Sequence, residues 1–155
     1  MITAETTTKR PTIAVLGGTG AEGGGLALRW AQAGYPVIIG SRNSEKAAQA
    51  CDRMNAKLGR SAVSHDSYRG AAEAAQIVVL CVPYAAQRAT VDEVRIALDG
   101  KILIDTTVPL MPPKVARVQL PEGGSAVAAI QSLLGASVLQ LTCARQDASH
   151  LLVWH

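Results

Sequence analysis

Gly18-Thr19-Gly20-Ala21-Glu22-Gly23 follows the β-branched run 12–16 (TIAVL) almost at once and matches G-x-G-x-x-G. A pattern of this length can arise by chance in a chain with 14 glycines. Its surroundings are what constrain the fold. The run before it reads as a buried strand. Leu26, Trp30 and Ala33 follow at i, i+4 and i+7, one face of a helix over residues 25–33, and Gly34 sits just past its end. Residues 36–40 (PVIIG) then read as a second strand, with proline tolerated at its first position. Strand, glycine loop, helix and strand form a parallel βαβ unit whose helix N-terminus can face a dinucleotide pyrophosphate. On this reading Gly18 permits the tight turn, Gly20 lets the backbone approach the pyrophosphate, and Gly23 lets the helix close on the strand. Glu22 is awkward beside phosphates and is expected to point outward, complementing the helix N-terminus.

The alternation continues down the chain. Ala47, Cys51, Met54 and Leu58 share a helical face, capped at Asn43 or Ser44 and closed by Gly59. Residues 62–64 suggest a short third strand, and Asp66 or Ser67 opens an alanine-rich helix reaching Ala75. The run 77–82 (IVVLCV) is apolar throughout, as expected of a strand covered on both faces, and Pro83 ends it. A helix over residues 86–98 places Val91, Val94 and Leu98 on one side; residues 101–105 (KILID) give a fifth strand. The proline-rich stretch 106–124 reads as an extended loop. Ser125 caps a short helix ended by Gly135, and residues 138–143 carry a weak sixth strand signal. Strands alternating with helices predict an α/β fold, a doubly wound parallel sheet of the Rossmann type. The expected organisation is a flexible polar tail over residues 1–11, one dinucleotide-binding domain over 12–138 and an atypical tail over 139–155.

Composition excludes several classes. The net charge of +3 and the lack of any block of five like charges argue against a nucleic-acid partner. No run approaches the ~20 apolar residues of a membrane span, and residues 1–11 lack the apolar core of a signal peptide. Cys51, Cys81 and Cys143 are odd in number and lack C-x-x-C spacing, so neither a disulfide framework nor zinc is expected. Cys51 and Cys81 read as buried thiols in a reducing cytoplasm. His65, His150 and His155 show no metal spacing, and His65 reads as a surface or capping residue. Asp105, beside Thr106 and Thr107, reads as turn-forming, while Tyr84 either borders the site or packs. No Ser-His-Asp grouping is present. No catalytic side chain and no metal site is assigned.

The end of the second strand selects between cofactors. An acidic residue there would bind the ribose diol of NAD. Ser41 and Arg42 occupy the place instead, with Lys46 four residues on. A hydroxyl and a guanidinium suit a phosphate monoester on the 2′ oxygen, Lys46 adds charge, and Thr19 can donate a further hydrogen bond. The expected cofactor is therefore NADP.

Gly-Gly-Thr-Gly at residues 17–20, Gly-Leu-Ala-Leu-Arg at 25–29 and Gly-Ser-Arg at 40–42 with Lys46 resemble the NADPH-dependent reductases of the deazaflavin coenzyme F-420. Val82-Pro83 and Val108-Pro109 are similar to that family too. The resemblance covers roughly residues 12–135. It implies hydride transfer between NADPH and the deazaflavin as small-molecule co-substrate, without a side-chain acid or base. It implies that Thr19, Gly20, Ala21 and Glu22 meet the pyrophosphate and ribose, that Ser41, Arg42 and Lys46 hold the 2′-phosphate, and that Val82 and Val108 line the nicotinamide half. Members of the family continue into elements that complete the deazaflavin pocket and a homodimer. Residues 139–155 (LQLTCARQDASHLLVWH) depart from that pattern, and truncation or a frame change is the expected origin. The alternatives are a reductase of another small substrate, such as a cyclic imine, and a non-catalytic NADP-binding module.

Overall fold

A computed structural model of the chain describes residues 9–107, 126–135 and 139–142. In chain order the elements are β1 (Ile13–Leu16), α1 (Ala21–Gln32), β2 (Val37–Gly40), α2 (Ser44–Leu58), β3 (Val63–Asp66), α3 (Tyr68–Ala74), β4 (Ile77–Leu80), α4 (Tyr84–Val94), β5 (Ile102–Asp105), α5 (Ala126–Leu134) and β6 (Leu139–Thr142). A 3₁₀ turn, Arg95–Leu98, tightens the end of α4. The strands form one parallel sheet in the order β3-β2-β1-β4-β5-β6.

Strand alternation divides the core into two layers. Ile13 and Val15 of β1, Val37 and Ile39 of β2 and Val79 of β4 face Ala27 and Ala31 of α1 and Ala47, Ala50 and Cys51 of α2. Ala14 and Leu16, with Val78 and Leu80, face the other way, onto Ala71 and Ala72 of α3, Val91 and Val94 of α4, and Ile130 and Leu134 of α5. Both faces are covered, which is why β1 and β4 are apolar at every position. This is the expected doubly wound α/β sheet.

Several boundaries differ from expectation. Helix α1 starts at Ala21 rather than Gly25. Glycines 23–25 are poor helix formers, each costing about 1 kcal/mol against alanine, so local propensity hides a first turn that packing imposes. Strand β3 runs on to Asp66, although Ser64, His65 and Asp66 are exposed. Register with β2, Val37 to Val63 through Gly40 to Asp66, maintains it. The Asn55 side chain locks its start: Oδ1 accepts from Ala62 N–H and Val63 N–H, both at 2.9 Å, and Nδ2 donates to Val63 O at 2.8 Å. Helix α4 begins at Tyr84, with Pro83 at its N-cap. Strand β6 lies beyond residue 138, so the sheet continues into the stretch read as an atypical tail. At the other end Arg10, inside the stretch read as a loose tail, donates to Ala33 O and stacks over the Tyr35 ring at 5.0 Å.

Candidate functional site

The order of the sheet reverses between β1 and β4: α1 leaves β1 on one face, and α3 enters β4 on the other. A crevice opens outside the carboxyl ends of strands at such a switch point. The first wall of the crevice is the turn after β1. Gly17 has φ +87°, and a Cβ there would lie 2.3 Å from Cys81 O. Gly17 N–H donates to Gly40 O, and Gly17 O accepts from Gly20 N–H, each at 3.1 Å. The tight turn therefore falls at Gly17 and not at Gly18, whose own Cβ position abuts Ile39. Gly23 acts as expected: a Cβ would sit 2.7 Å from Gly17 O, so only glycine lets α1 cross β1 this closely.

The loop leaves donors open. Gly20 is the N-cap of α1 and supplies no side-chain cap. Gly24 N–H closes the first helical bond onto Gly20 O at 2.8 Å. Among the described residues, no protein acceptor meets the N–H groups of Thr19, Ala21, Glu22 or Gly23. Thr19, Gly20, Ala21 and Glu22 are exposed there, beside the positive end of the helix.

On the β2 side, Ser41 Oγ accepts from Asn43 N–H and donates to Asn43 O, both at 3.1 Å. Asn43 Oδ1 in turn caps α2 through Lys46 N–H at 2.8 Å. This turn fixes Arg42, which is exposed. Among the described residues the only ion pairs are Arg69–Glu73 and Arg88–Asp92, so the charges of Arg42 and Lys46 remain unpaired. Ser41, Arg42 and Ser44 share a cleft of about 460 Å³ with His65, Asp66 and Ser67. His65 is thus a surface residue that the β2–β3 register brings beside Arg42.

On the β4 side, a cleft of about 380 Å³ is lined by residues 20–23, Cys81, Val82, Pro83, Tyr84, Thr106 and Thr107. Val82 and Tyr84 border it; Val108 lies outside the described residues, as do Cys143, His150 and His155. Cys51 is the core thiol expected, pushed up to about 11 first by burial and then by the Asp52 charge. Cys81 is not fully buried: it stands half-exposed at the cleft wall, 3.3 Å from Thr106 Oγ1.

Sequence reasoning missed two features. Gln87 is 3% exposed and donates from Nε2 to Asp105 Oδ2 at 2.6 Å and to Thr107 Oγ1 at 2.7 Å. The available signal was a polar residue at i relative to Val91, Val94 and Leu98 at i+4, i+7 and i+11. The second feature is a groove of about 270 Å³ flanking the glycine loop, into which α2 brings Arg53 and Lys57. These two stand at i+7 and i+11 from Lys46, on one helix face.

The sequence profile of the family described as "NADP oxidoreductase coenzyme F420-dependent" matches residues 12–109. The chain belongs to that family. Its matched region holds β1 to β5 and the crevice residues just described. An F420-dependent NADP reductase of Methanothermobacter marburgensis is 50% identical over 100 residues, 63% of this chain and 45% of the relative. One from Methanocaldococcus jannaschii is 34% identical over 148 residues, 91% of this chain and 65% of the relative. A crystal structure from Arthrobacter sp. FB24, described as a candidate F420-dependent NADP reductase, superposes with a TM-score of 0.66 at 29% identity. That match covers 84% of this chain and 61% of the other. The chain thus spans less than two thirds of the length of these relatives. Among the described residues, no helix is long and apolar enough to cross a membrane, and no group of three His, Cys, Asp or Glu is placed to hold a metal.

Proposed function

We propose that the crevice holds NADP and that the chain serves hydride transfer between NADPH and the deazaflavin coenzyme F-420. The observation that carries this reading is the continuity of three features along one sheet edge. Unpaired cations stand at the end of β2, open backbone donors at the start of α1, and a partly apolar cleft at the end of β4. The residues present fit the cofactor. Arg42, Lys46 and Ser41 would take the 2′-phosphate, where charge-assisted bonds are strongest. Thr19, Gly20, Ala21, Glu22 and Gly23 would take the pyrophosphate and ribose through backbone N–H groups, where a side chain at Gly17 or Gly23 would collide with backbone. Val82 would line the nicotinamide half, since the adenosine half is committed to the β2 side.

NADPH supplies the hydride when bound. The chain's part is to position the ring and keep water from it, which needs no acid or base. The relatives' descriptions as F420-dependent NADP reductases support the deazaflavin as co-substrate. A cytoplasmic location accompanies the proposal, since Cys51 is a buried thiol outside any disulfide.

Mixing the protein with NADPH and oxidised coenzyme F-420 tests the reaction. The expected result is protein-dependent loss of the oxidised deazaflavin absorbance. No loss under conditions where NADPH binds would overturn hydride transfer while leaving the cofactor site intact.

A further inference from the structure

Beside the glycine loop, a groove of about 270 Å³ lies between α1 and α2. It is lined by Gly18, Thr19 and Gly20 of the loop and by Arg53 and Lys57 of α2. It therefore opens onto the residues assigned above to the pyrophosphate. Arg53 and Lys57 are exposed, and neither makes an ion pair among the described residues. Guanidinium and ammonium groups offer only positive charge and donors. On the α1 side Arg29 reaches back to donate to Gly25 O at 3.2 Å, and Gly25 lines the same groove.

The charges of α2 share one face. At 3.6 residues per turn, Lys46, Arg53 and Lys57 fall within roughly 40° of one another round the helix. Glu45 and Asp52, the acids of α2, stand roughly 100° away from that face. Glu22, the acid in the first turn of α1, lines the β4-side cleft instead. Helical side chains lean toward the helix N-terminus, which for α2 is the end beside Ser41 and Arg42. A stripe of unpaired cations thus leads along α2 to the place assigned to the 2′-phosphate.

We propose that Arg53 and Lys57 steer the dinucleotide into the crevice and so set how fast it binds, without holding it once bound. The inference rests on the NADP reading above. The ligand is a polyanion, with a pyrophosphate and a 2′-phosphate. A surface of one charge sign raises the local concentration of an oppositely charged ligand and speeds its association. Long-range attraction is already felt in the encounter complex, so it eases entry and leaves exit almost unchanged. Arg53 and Lys57 stand about 10 and about 16 Å of helix rise from Lys46. Those separations fall inside the ~30 Å screening length of dilute salt and outside the ~3 Å of concentrated salt.

Stopped-flow mixing with NADPH, followed by its fluorescence, measures association in native protein and in Arg53→Gln combined with Lys57→Gln. At ~0.01 M salt the association rate is expected to fall about fivefold in the variant, and at ~1 M salt to match native within about twofold. The dissociation rate, measured by displacement with excess NADP+, should stay within about twofold of native. Arg53→Lys combined with Lys57→Arg keeps the charge and should keep the native rates. Lys9→Gln combined with Arg95→Gln removes equal charge from exposed positions before β1 and after α4. That variant should slow association by less than about twofold. An unchanged association rate in dilute salt would overturn the proposal, as would a loss of affinity carried by faster dissociation. Equal slowing in the Lys9 and Arg95 variant would also overturn it, because net charge would then be the cause. If the double glutamine variant does not fold, Arg53→Gln alone takes its place, with about a twofold effect expected. Failure of both to fold would overturn the proposal, because the cations would then belong to the fold. Native protein that does not bind NADPH would overturn the functional reading itself, an outcome distinct from the others.

Discussion

Gly17→Ala is expected to destabilise the fold by about 3 kcal/mol or more, among the largest effects of a single methyl group. Two costs add. The residue has φ +87°, where an L side chain is strained, and its Cβ would lie 2.3 Å from Cys81 O and 2.9 Å from Cys81 C. Those atoms are backbone at the end of β4, so relief requires β1 and β4 to part at the switch point of the sheet. Gly59→Ala is the control. Gly59 also has positive φ, +64°, but nothing lies within 4 Å of its Cβ position. It should cost only about 1 kcal/mol, the conformational share alone. Denaturant unfolding of both variants checks the difference; equal losses would show that the contact with Cys81 contributes nothing.

The second large effect concerns the cofactor. Arg42→Ala combined with Lys46→Ala is expected to weaken NADP binding about a hundredfold and to leave NAD within about twofold. Both side chains are exposed and have no ion-pair partner among the described residues, so removing them disturbs no internal contact. Asn43, which caps α2 at 2.8 Å, is left in place, and the fold should hold. The preference should also shrink with added salt, because surface phosphate contacts are screened. Parallel calorimetry with the two dinucleotides measures it. An equal loss for NAD and NADP would point to a general disturbance of the crevice instead.

How legible these features were depended on the range of the interactions that make them. Strands β1 and β4 could be read directly, because burial on both faces leaves unbroken apolar runs. The Ser41-Arg42-Lys46 group could be read because local chain order places it at a strand end. The first turn of α1 was hidden, since its glycines serve a close crossing over Gly17 that no local propensity records. The last residues of β3 were hidden because His65 and Asp66 are polar, and only pairing with β2 makes them a strand. Asp105 could be read as a turn former through Thr107, two residues on. Its bond to Gln87 spans 18 residues and depends on α4 packing against β5, which local sequence does not determine. The tight turn expected at Gly18 likewise falls one residue earlier, at Gly17, because the motif gives spacing and the contact with Cys81 after β4 decides which glycine must turn.

Calorimetric titration of the unaltered protein with NADP and with NAD tests most directly whether this crevice is an NADP site. NADP is expected to bind about tenfold or more tightly than NAD, as charge-assisted contacts to a 2′-phosphate allow. Equal affinities for the two dinucleotides would contradict it.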